Sequence, residues 1–268
     1  MQQYCREKHI RLFSQLLGDR YGIRISREKA DMLKVKLQKL MARNNIVSYD
    51  EYYDLIGSDS LYLTQFLDEI TTHTTNFFRE NSHFEYLQKN INNILDRNSA
   101  IRKNCEIRVW SAACSTGEEP YTLAMVLRES LPGGINIKIL ATDISRKVVA
   151  SAAKGVYALE IENEVGKYYI QNYFSRIDGV YQIADHIKNL VTFRIFNLME
   201  PFPFKRNFDI IFCRNVMIYF EGHVQKRLVE KMYDVLAPEG LFFIGHSEGL
   251  VHKEHRFSFI QPSVYMKA

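Results

Sequence analysis

The sequence predicts an α/β protein in which a mostly parallel β-sheet, covered by helices on both faces, follows an all-helical N-terminal unit. Apolar residues recur at helical spacing over the first 70 positions, whereas from about Glu106 short apolar strands alternate with helices. An Asp-Gly pair between two β-prone runs interrupts this alternation and predicts a small antiparallel insert at about residues 160–189. We therefore expect a helical N-terminal domain, 1–70, and a larger domain, 71–268, that contains the insert.

The first two helices of the N-terminal unit are predicted from their end signals and their apolar spacing. Tyr4–Leu17 is the first helix, and Gly22 ends it because glycine tolerates the left-handed conformation at a helix C-terminus. Ser26 can cap the second helix. One apolar face of that helix is formed by residues three and four positions apart, namely Ala30, Leu33, Leu37, Leu40 and Met41.

The third and fourth helices of this unit are shorter. Ser48, with Glu51 three residues later, has the spacing of a capping box that opens a helix ending at Gly57. Leu61–Ile70 supplies the fourth helix. The first 70 residues thus form a small all-helical module.

The larger domain begins with a strand, a helix and a second strand. Ile107–Trp110 is a short apolar strand, and a turn of small residues leads from it to the helix Pro120–Leu131. The second strand is Ile137–Ala141, after which Ser145 can cap the next helix. This order is the signature of a βαβ unit.

The same alternation resumes in the last third of the chain. It predicts the strands Val191–Phe196 and Phe208–Phe212, the helix Gly222–Leu236, a Pro238–Gly240 turn, and the strands Leu241–Ile244 and Val264–Lys267. A mostly parallel sheet of this kind binds its ligand at the carboxyl ends of the strands.

The predicted insert rests on one hairpin signal. Tyr173–Ile177 and Val180–Ala184 are β-prone, and Asp178 and Gly179 join them with the residues that a tight hairpin turn requires.

Composition and charge exclude several classes of protein. Hydrophobic residues make up 46% and charged residues 25% of the 268 positions, which argues against disorder and collagen-like repeats. No run approaches the roughly 18 apolar residues that a membrane span needs, so we expect a cytoplasmic protein. The net charge of +4 is too small to indicate nucleic acid by itself. The four cysteines lack metal-ligand spacing and are expected to be free thiols.

The junction between the first strand and its helix is rich in small side chains. These are Ala112, Ala113, Ser115, Thr116 and Gly117, and small side chains let a ligand approach the backbone. A dinucleotide-binding fold would place GxGxxG here, so that pyrophosphate lies against the helix N-terminus. Glu118 and Glu119 occupy the helix start instead.

These two acids favour a cationic cofactor over NAD. Glu118 and Glu119 would repel a pyrophosphate, but they suit S-adenosylmethionine, which has a positive sulfur, an ammonium group and ribose hydroxyls. Asp143 strengthens the prediction, because a carboxylate at the end of the second strand can accept hydrogen bonds from both ribose hydroxyls. The alternative is that the two glutamates only complement the helix dipole.

Four separate motifs in this order resemble the CheR family of chemotaxis receptor methyltransferases. They are residues 71–80 (TTHTTNFFRE), 109–121 (VWSAACSTGEEPY), 208–220 (FDIIFCRNVMIYF) and 245–248 (GHSE). The resemblance covers nearly the whole chain. It implies a Rossmann-like class I S-adenosylmethionine methyltransferase sheet, and transfer of a methyl group to glutamate side chains of methyl-accepting chemotaxis receptors during adaptation.

The resemblance also implies roles for the first motif. His73, Thr75 and Arg79 are expected to border the methionine end of the cofactor. The family usually has Asn where this chain has His73, and an imidazole that gains charge near pH 6.5 would make cofactor binding sensitive to pH.

Further cofactor contacts are implied at the strand ends. Glu119, or its neighbour Glu118, and Asp143 are expected to hold the amino and ribose groups of the cofactor. Asn197 and Leu198 are expected to flank the adenine.

The third motif is expected to lie near the methyl group that is transferred. Arg214, Asn215 and Tyr219 are the residues that the resemblance places there. We expect Arg79 or Arg214 to orient the incoming carboxylate, and the Tyr219 hydroxyl to fix the geometry around the methyl group.

The expected reaction explains why the sequence offers neither a catalytic triad nor metal-ligand spacing. A glutamate carboxylate, with a reference pKa of about 4.3, is already ionised near neutral pH, so methyl transfer to it needs no general base. Catalysis then depends on aligning the oxygen, the methyl carbon and the sulfur.

The second helix carries an excess of basic residues that suits an acid-rich partner. Between Arg24 and Arg43 there are seven basic residues against two acids. The resemblance implies that the partner is the acid-rich, helical cytoplasmic region of the receptors, which a positive stripe would attract. The alternative is an ordinary solvated helix face.

Two other functions remain open at this stage. A nucleic-acid methyltransferase would share the fold and could use the same basic helix, but base-amine methylation commonly uses a Pro-Pro-aromatic loop where this chain has Cys213–Val216. A non-catalytic module that binds the cofactor is the second alternative, against which the intact acidic and basic residues argue.

Overall fold

The structure is a computed structural model that describes residues 5–250 and 255–268, without the side chains of Arg27 and Glu28. The N-terminal part contains the four predicted helices, which are α1 (Glu7–Tyr21), α2 (Arg27–Arg43), α3 (Tyr49–Ser58) and α4 (Ser60–Ile70). Helix α1 begins and ends later than predicted, and Tyr4 lies outside the described residues.

Most of the predicted helix signals are confirmed in the structure. Gly22 follows α1 in the left-handed conformation, with a φ of 69°. The Ser48 hydroxyl accepts a hydrogen bond from the Glu51 backbone N–H at the start of α3. The Ser145 hydroxyl accepts one from the Val148 N–H in the same way. Ser26 occupies the capping position of α2, but its side chain makes no capping hydrogen bond.

The second part of the chain opens with two helices that the sequence analysis missed, α5 (Ser82–Arg97) and α6 (Ser99–Asn104). Its other helices are α7 (Glu118–Ser130), α8 (Arg146–Lys154), α9 (Lys167–Tyr173), α10 (Asp185–Lys188) and α11 (Gly222–Val235). Its strands are β1 (Glu106–Ala112), β2 (Asn136–Asp143), β3 (Val156–Tyr157), β4 (Phe174–Ile177), β5 (Val180–Ile183), β6 (Val191–Ile195), β7 (Phe208–Cys213), β8 (Leu236–Ile244), β9 (Phe257–Gln261) and β10 (Val264–Lys267).

Seven strands form the main sheet, in the order β6-β2-β1-β7-β8-β10-β9. The first five of these are parallel to one another, and β10 pairs antiparallel with both β8 and β9. The predicted mostly parallel sheet is therefore confirmed. The edge strand β9 was not predicted.

Each face of this sheet has its own hydrophobic core. Along β1, Ile107 and Val109 belong to one core, while Trp110 and Ala112 belong to the other. Neighbouring side chains of a strand point to opposite faces, so both Val109 and Trp110 are apolar where β1 is covered on both sides. The helical N-terminal part has a third core of its own.

The small antiparallel sheet is confirmed, in the order β3-β5-β4. Asp178 and Gly179 form the turn between β4 and β5 with positive φ angles of 48° and 78°, as a tight hairpin turn requires. This sheet begins at Val156, earlier than the insert boundary predicted from the sequence.

The predicted turn at Pro238–Gly240 is an irregular stretch inside a strand that begins earlier than predicted. Pro238–Gly240 lies within β8, where Glu239 has a φ of 60° and the pairing with β7 shifts its register. The chain is bent at this point but remains within the sheet, as at a β-bulge.

The described cysteines are free, as predicted, and Cys105 alone among them is exposed. Within residues 5–250 and 255–268, every helix is too short or too polar to cross a lipid bilayer.

Candidate active site

A deep cleft lies at the carboxyl ends of β1, β2, β6 and β7, where a parallel sheet is expected to bind its ligand. Its volume is about 1270 Å³, including the space open to solvent. All but one of the predicted site residues line it: His73, Thr75, Arg79, Glu119, Asp143, Asn197, Leu198, Arg214, Asn215 and Tyr219.

The turn between β1 and α7 forms one wall of the cleft. Ala113, Ser115 and Gly117 all have positive φ angles, which explains why small residues occupy this turn. A Cβ atom on Gly117 would lie 2.9 Å from both the Ala152 Cβ and the Tyr157 hydroxyl. The turn therefore packs too closely on its neighbours to accept a larger residue at this position.

Asp143 joins this turn to the end of β2. Its Oδ2 accepts a hydrogen bond from the Ser115 N–H at 2.9 Å, and its Oδ1 accepts one from the Ser145 N–H at 3.0 Å. The residue is 7% exposed, and burial raises the pKa of its carboxyl group, although the two backbone donors oppose this. A ligand that donates hydrogen bonds or carries positive charge would stabilise the ionised form.

The structure separates the two glutamates at the start of α7. Glu119 lines the cleft and accepts a hydrogen bond from the Ser111 hydroxyl at 2.7 Å. Burial raises the pKa of Glu119, as it does for Asp143. Glu118 is not among the residues that line the cleft, because its carboxylate instead accepts hydrogen bonds from the Thr116 hydroxyl. Of the two glutamates, Glu119 is therefore the one that a ligand in the cleft can contact.

Arg214 is held between two carboxylates. Its Nη2 lies 3.3 Å from Glu80 Oε2, and its Nη1 lies 3.4 Å from Glu119 Oε2. Its guanidinium group also donates to the Arg79 carbonyl and packs over the Phe84 ring. With 1% of its side chain exposed, Arg214 is less able to swing toward a substrate than the half-buried Arg79. The role of Glu80 in this arrangement was missed from the sequence, although Glu80 belongs to the first motif.

His73 lies beside Asp143 at the edge of the cleft. Its Nε2 shares a hydrogen bond of 2.7 Å with the Thr71 hydroxyl. Burial lowers the pKa of His73 below 6.5, and the negative charge of Asp143 opposes this. The imidazole is therefore neutral at pH 7, where it acts as a hydrogen-bonding group rather than as a cation.

Asn197 and Leu198 follow β6 on the far side of the cleft. The Asn197 amide donates to the Arg20 carbonyl at 3.0 Å and accepts from the Met199 N–H at 3.0 Å. Leu198 is buried and presents an apolar surface. The polar atoms of Asn197 thus already hold the loop to the N-terminal part.

The helical N-terminal part contributes a wall of the cleft, which the sequence analysis did not anticipate. The Arg24 N–H donates to the Tyr219 carbonyl at 2.8 Å, and Ile23 forms an antiparallel bridge with Phe220. Lys29 Nζ lies 5.2 Å from the centre of the Tyr219 ring. The exposed basic residues Arg24 and Lys29 therefore line the same cleft as Asp143 and Glu119.

One group of side chains in the described part of the chain has the donor atoms of a metal site. Glu80, His83 and His246 each offer an atom within 4.8 Å of the others, a grouping that sequence spacing does not reveal. However, Glu80 already forms an ion pair with Arg214 and accepts hydrogen bonds from the Asn215 amide and the His246 N–H. A cation would have to displace these contacts beside a guanidinium group, so we assign no metal to the cluster.

The cleft is suited to direct transfer rather than to covalent catalysis. Cys114 lines it, but burial raises the pKa of this thiol well above its usual value, which keeps it protonated and weakly nucleophilic. The buried acids suit a cationic ligand, and the exposed basic residues suit an anionic acceptor.

Comparison with known proteins identifies the family. Residues 8–71 match the family described as CheR methyltransferase, all-alpha domain, and residues 73–266 match CheR methyltransferase, SAM binding domain. A chemotaxis protein methyltransferase of Borreliella burgdorferi is 35% identical over 260 residues, covering 94% of this chain and 92% of that protein. One of Escherichia coli is 36% identical over 269 residues, covering 97% and 90%. Chemotaxis protein methyltransferase 2 of Pseudomonas aeruginosa is 37% identical over 254 residues, covering 92% and 88%.

The fold and the cleft thus define an enzyme of the class that transfers methyl groups from S-adenosylmethionine. The chain belongs to the CheR methyltransferase family. The resemblance found in the sequence is confirmed, and S-adenosylmethionine is the cofactor.

Proposed function

We propose that this enzyme transfers the methyl group of S-adenosylmethionine to glutamate side-chain carboxylates on methyl-accepting chemotaxis receptors, giving methyl esters during adaptation. The observation that carries this proposal is the division of charge in the cleft, which is lined by the buried Asp143 at the end of β2, the mostly buried Glu119 at the start of α7, and the exposed Arg24 and Lys29. The acids suit the cationic donor and the bases suit an anionic acceptor. Because the methylated region of the receptors is cytoplasmic, we also assign the enzyme to the cytoplasm.

The cofactor roles expected from the sequence are kept as proposals, with one change. Asp143 holds the ribose, Glu119 rather than Glu118 lies near the ammonium group, and Leu198 flanks the adenine with Asn197. His73, Thr75 and Arg79 border the methionine end.

The contacts of Arg214 support a place for the cofactor carboxylate. Its Nε and Nη1 are buried and have no hydrogen-bond partner among the described residues, although Glu119 lies nearby. Buried N–H groups without acceptors are costly, so an acceptor such as the methionine carboxylate would be favoured there. Asn215, which follows Arg214, also lines the cleft.

In the proposed mechanism the protein positions reactants and moves no proton. S-adenosylmethionine supplies an electrophilic methyl group, and the acceptor carboxylate is already ionised. Arg79 is the better candidate than Arg214 to orient that carboxylate, because Arg214 is held by Glu80 and Glu119. The Tyr219 hydroxyl fixes the geometry at the methyl group. Alignment of this kind supplies large effective molarities, about 10⁵ M or more.

The test of this proposal is the product that the enzyme forms with labelled cofactor. Receptor fragments containing the cytoplasmic helices should gain label that base releases as methanol, because methyl esters hydrolyse in base whereas methylated base amines do not. Label on nucleic acid instead would identify the rival activity. Cofactor binding without label on either would leave only a binding module.

Tyr219→Phe tests the mechanism directly. Turnover should fall while the affinity for S-adenosylhomocysteine changes little, since only a group acting near the transferred methyl is removed. An unchanged rate would remove Tyr219 from the mechanism.

We further propose that the receptor approaches along α2, using the basic residues between Arg24 and Arg43. Not all of them are equally suited to this. Lys36 Nζ donates to the Ile70 carbonyl, and Lys39 pairs with Glu69, so both are engaged with the end of α4. Arg24 and Lys29 line the cleft and have exposed side chains, so they are the better candidates.

A charge-reversal experiment separates docking from a merely solvated face. Arg24→Glu with Lys29→Glu should raise the KM for receptor and flatten its salt dependence, while the KM for S-adenosylmethionine is retained. Lys103→Glu, an exposed change on α6 outside the cleft, is the matched control. Equal rates for both variants at low salt would favour the solvated face.

A further inference from the structure

The buried carboxylate of Glu248 accepts four backbone hydrogen bonds beyond the end of β8. Its Oε2 accepts from the Asn215 N–H and the Gly245 N–H, each at 2.7 Å. Its Oε1 accepts from the Met217 N–H at 2.7 Å and from the Ile218 N–H at 3.3 Å. Both oxygens are therefore fully used, and the residue is 6% exposed. Glu248 belongs to the fourth sequence motif, residues 245–248.

Three of these four bonds hold the loop that follows β7, which we call the 214–220 segment. This segment turns sharply after a buried strand, with Asn215 at a φ of 57° and a single 3₁₀ turn at Met217–Tyr219. Such a turn leaves backbone N–H groups that no strand or helix satisfies. The carboxylate of Glu248 satisfies them, and in doing so fixes the segment that carries Arg214 and Tyr219 to the cleft.

The contact between this segment and the turn after β8 leaves no spare room. A Cβ atom on Gly245 would lie 2.6 Å from Asn215 Nδ2 and 2.7 Å from Glu248 Oε2. The Asn215 amide also donates to Glu80 Oε1 at 3.1 Å, and Glu80 pairs with Arg214. A continuous set of polar contacts thus leads from Glu248 to the guanidinium group in the cleft.

We propose that Glu248 is a positioning residue for methyl transfer, acting through the 214–220 segment rather than by touching cofactor or substrate. This inference rests on the proposed role of that segment at the transferring methyl. A displacement of about 1 Å at such a site can lower the rate by about 10²-fold, so the rigidity of the segment matters for turnover as well as for stability. Four donors on one carboxylate supply that rigidity.

Glu248→Gln tests the proposal with little change in size. A glutamine offers one acceptor oxygen and one NH₂ group, so either orientation places the NH₂ against two backbone N–H donors. The variant is titrated with S-adenosylhomocysteine by calorimetry, and its turnover is expressed per binding site. We expect turnover per site to fall about 10- to 100-fold. Glu230→Gln, an exposed change on α11, is the control and should match the parent.

A merely structural role would give a different result. It would reduce the number of molecules that bind S-adenosylhomocysteine while leaving the turnover of each binding molecule unchanged, and that outcome overturns the proposal. If Glu248→Gln does not yield folded protein, Gly245→Ala disturbs the same contact from the other side, and the same fall in turnover per site is expected of it.

A second measurement does not depend on catalysis. Amide hydrogen exchange of the 214–220 segment, with S-adenosylhomocysteine bound, should be faster in Glu248→Gln than in the parent. Equal exchange overturns the proposal. Failure of the proposed function would be seen separately, as absence of base-labile label on receptors with the parent enzyme.

Discussion

Replacement of His83 by leucine should remove a specific part of the acid sensitivity of this protein. The His83 side chain is buried, and neither of its ring nitrogens has a hydrogen-bond partner among the described residues. Burial lowers the pKa of His83 from 6.5 to about 3, with the charge of Arg214 acting in the same direction and that of Glu80 against it. The unfolded chain therefore binds a proton that the folded chain excludes between these two pH values.

The sign and size of the effect follow from this difference in pKa. Because the pKa of His83 is depressed in the folded chain, its titration does not lower the unfolding free energy above pH 6.5, where His83 is neutral in both states. As the pH falls from 6.5 toward 3, protonation of the unfolded chain lowers the unfolding free energy. One pH unit below the unfolded pKa the loss is about 1.4 kcal/mol of unfolding free energy, and two units below it is about 2.7 kcal/mol.

Urea unfolding at pH 7.5, 5.5 and 4.5 measures this contribution. The parent should lose about 1.4 kcal/mol more than His83→Leu between the first two pH values, because the other titrating groups are common to both. Gln171→Leu, an exposed change on α9 that removes no titrating group, should keep the pH dependence of the parent. If His83→Leu and the parent show the same pH dependence, the reasoning about His83 is refuted.

Two further changes test the cleft and its turn. Asp143→Asn should weaken S-adenosylhomocysteine binding about 10- to 100-fold, which is the value of a lost charged hydrogen bond. Asp185→Asn, at an exposed position, should leave this binding unchanged. Calorimetry measures both variants, and a change of less than about twofold for Asp143→Asn would contradict the proposed ribose contact. Gly117→Ala should lower the unfolding free energy by about 1–3 kcal/mol, because the φ of Gly117 is 100° and an added Cβ would crowd Ala152. Gly133→Ala, at a position with open space around it, is the control. If urea unfolding shows that both variants lose the same unfolding free energy, the turn tolerates a side chain.

The strands were largely predictable because their signal is local. A strand that is covered on both faces is mostly apolar, and Phe208–Cys213 is buried at every position and apolar at all of them except Asp209. The hairpin at Asp178 and Gly179 was predictable for the same reason, since the turn residues themselves require the positive φ angles. Helix α5 also carried a local signal, the spacing of Phe84, Leu87, Ile91 and Leu95, which the sequence analysis overlooked.

Two features of the main sheet were harder to predict from the sequence, the edge strand β9 and the irregular start of β8. Strand β9 is a short edge strand whose Phe259 is exposed, and it exists because β10 supplies its hydrogen-bonding partners. Pro238–Gly240 has the composition of a turn, and the pairing of β8 with β7 skips this stretch, passing from Leu236 to Leu241 with a register shift.

The sequence by itself determined the alternation of strands and helices in the parallel part of the sheet, the acidic character of the first strand-to-helix junction and the end of β2, and the family. Only the tertiary structure decided which acid faces the cleft, because consecutive helix residues point about 100° apart and Glu119, unlike Glu118, reaches Ser111 and Arg214. It also decided that Arg214 is held by Glu80 and Glu119, and that Glu248 holds the segment after β7. Hydrogen bonds and ion pairs act over a few ångströms, so partners that are far apart in sequence are defined only after the chain has folded.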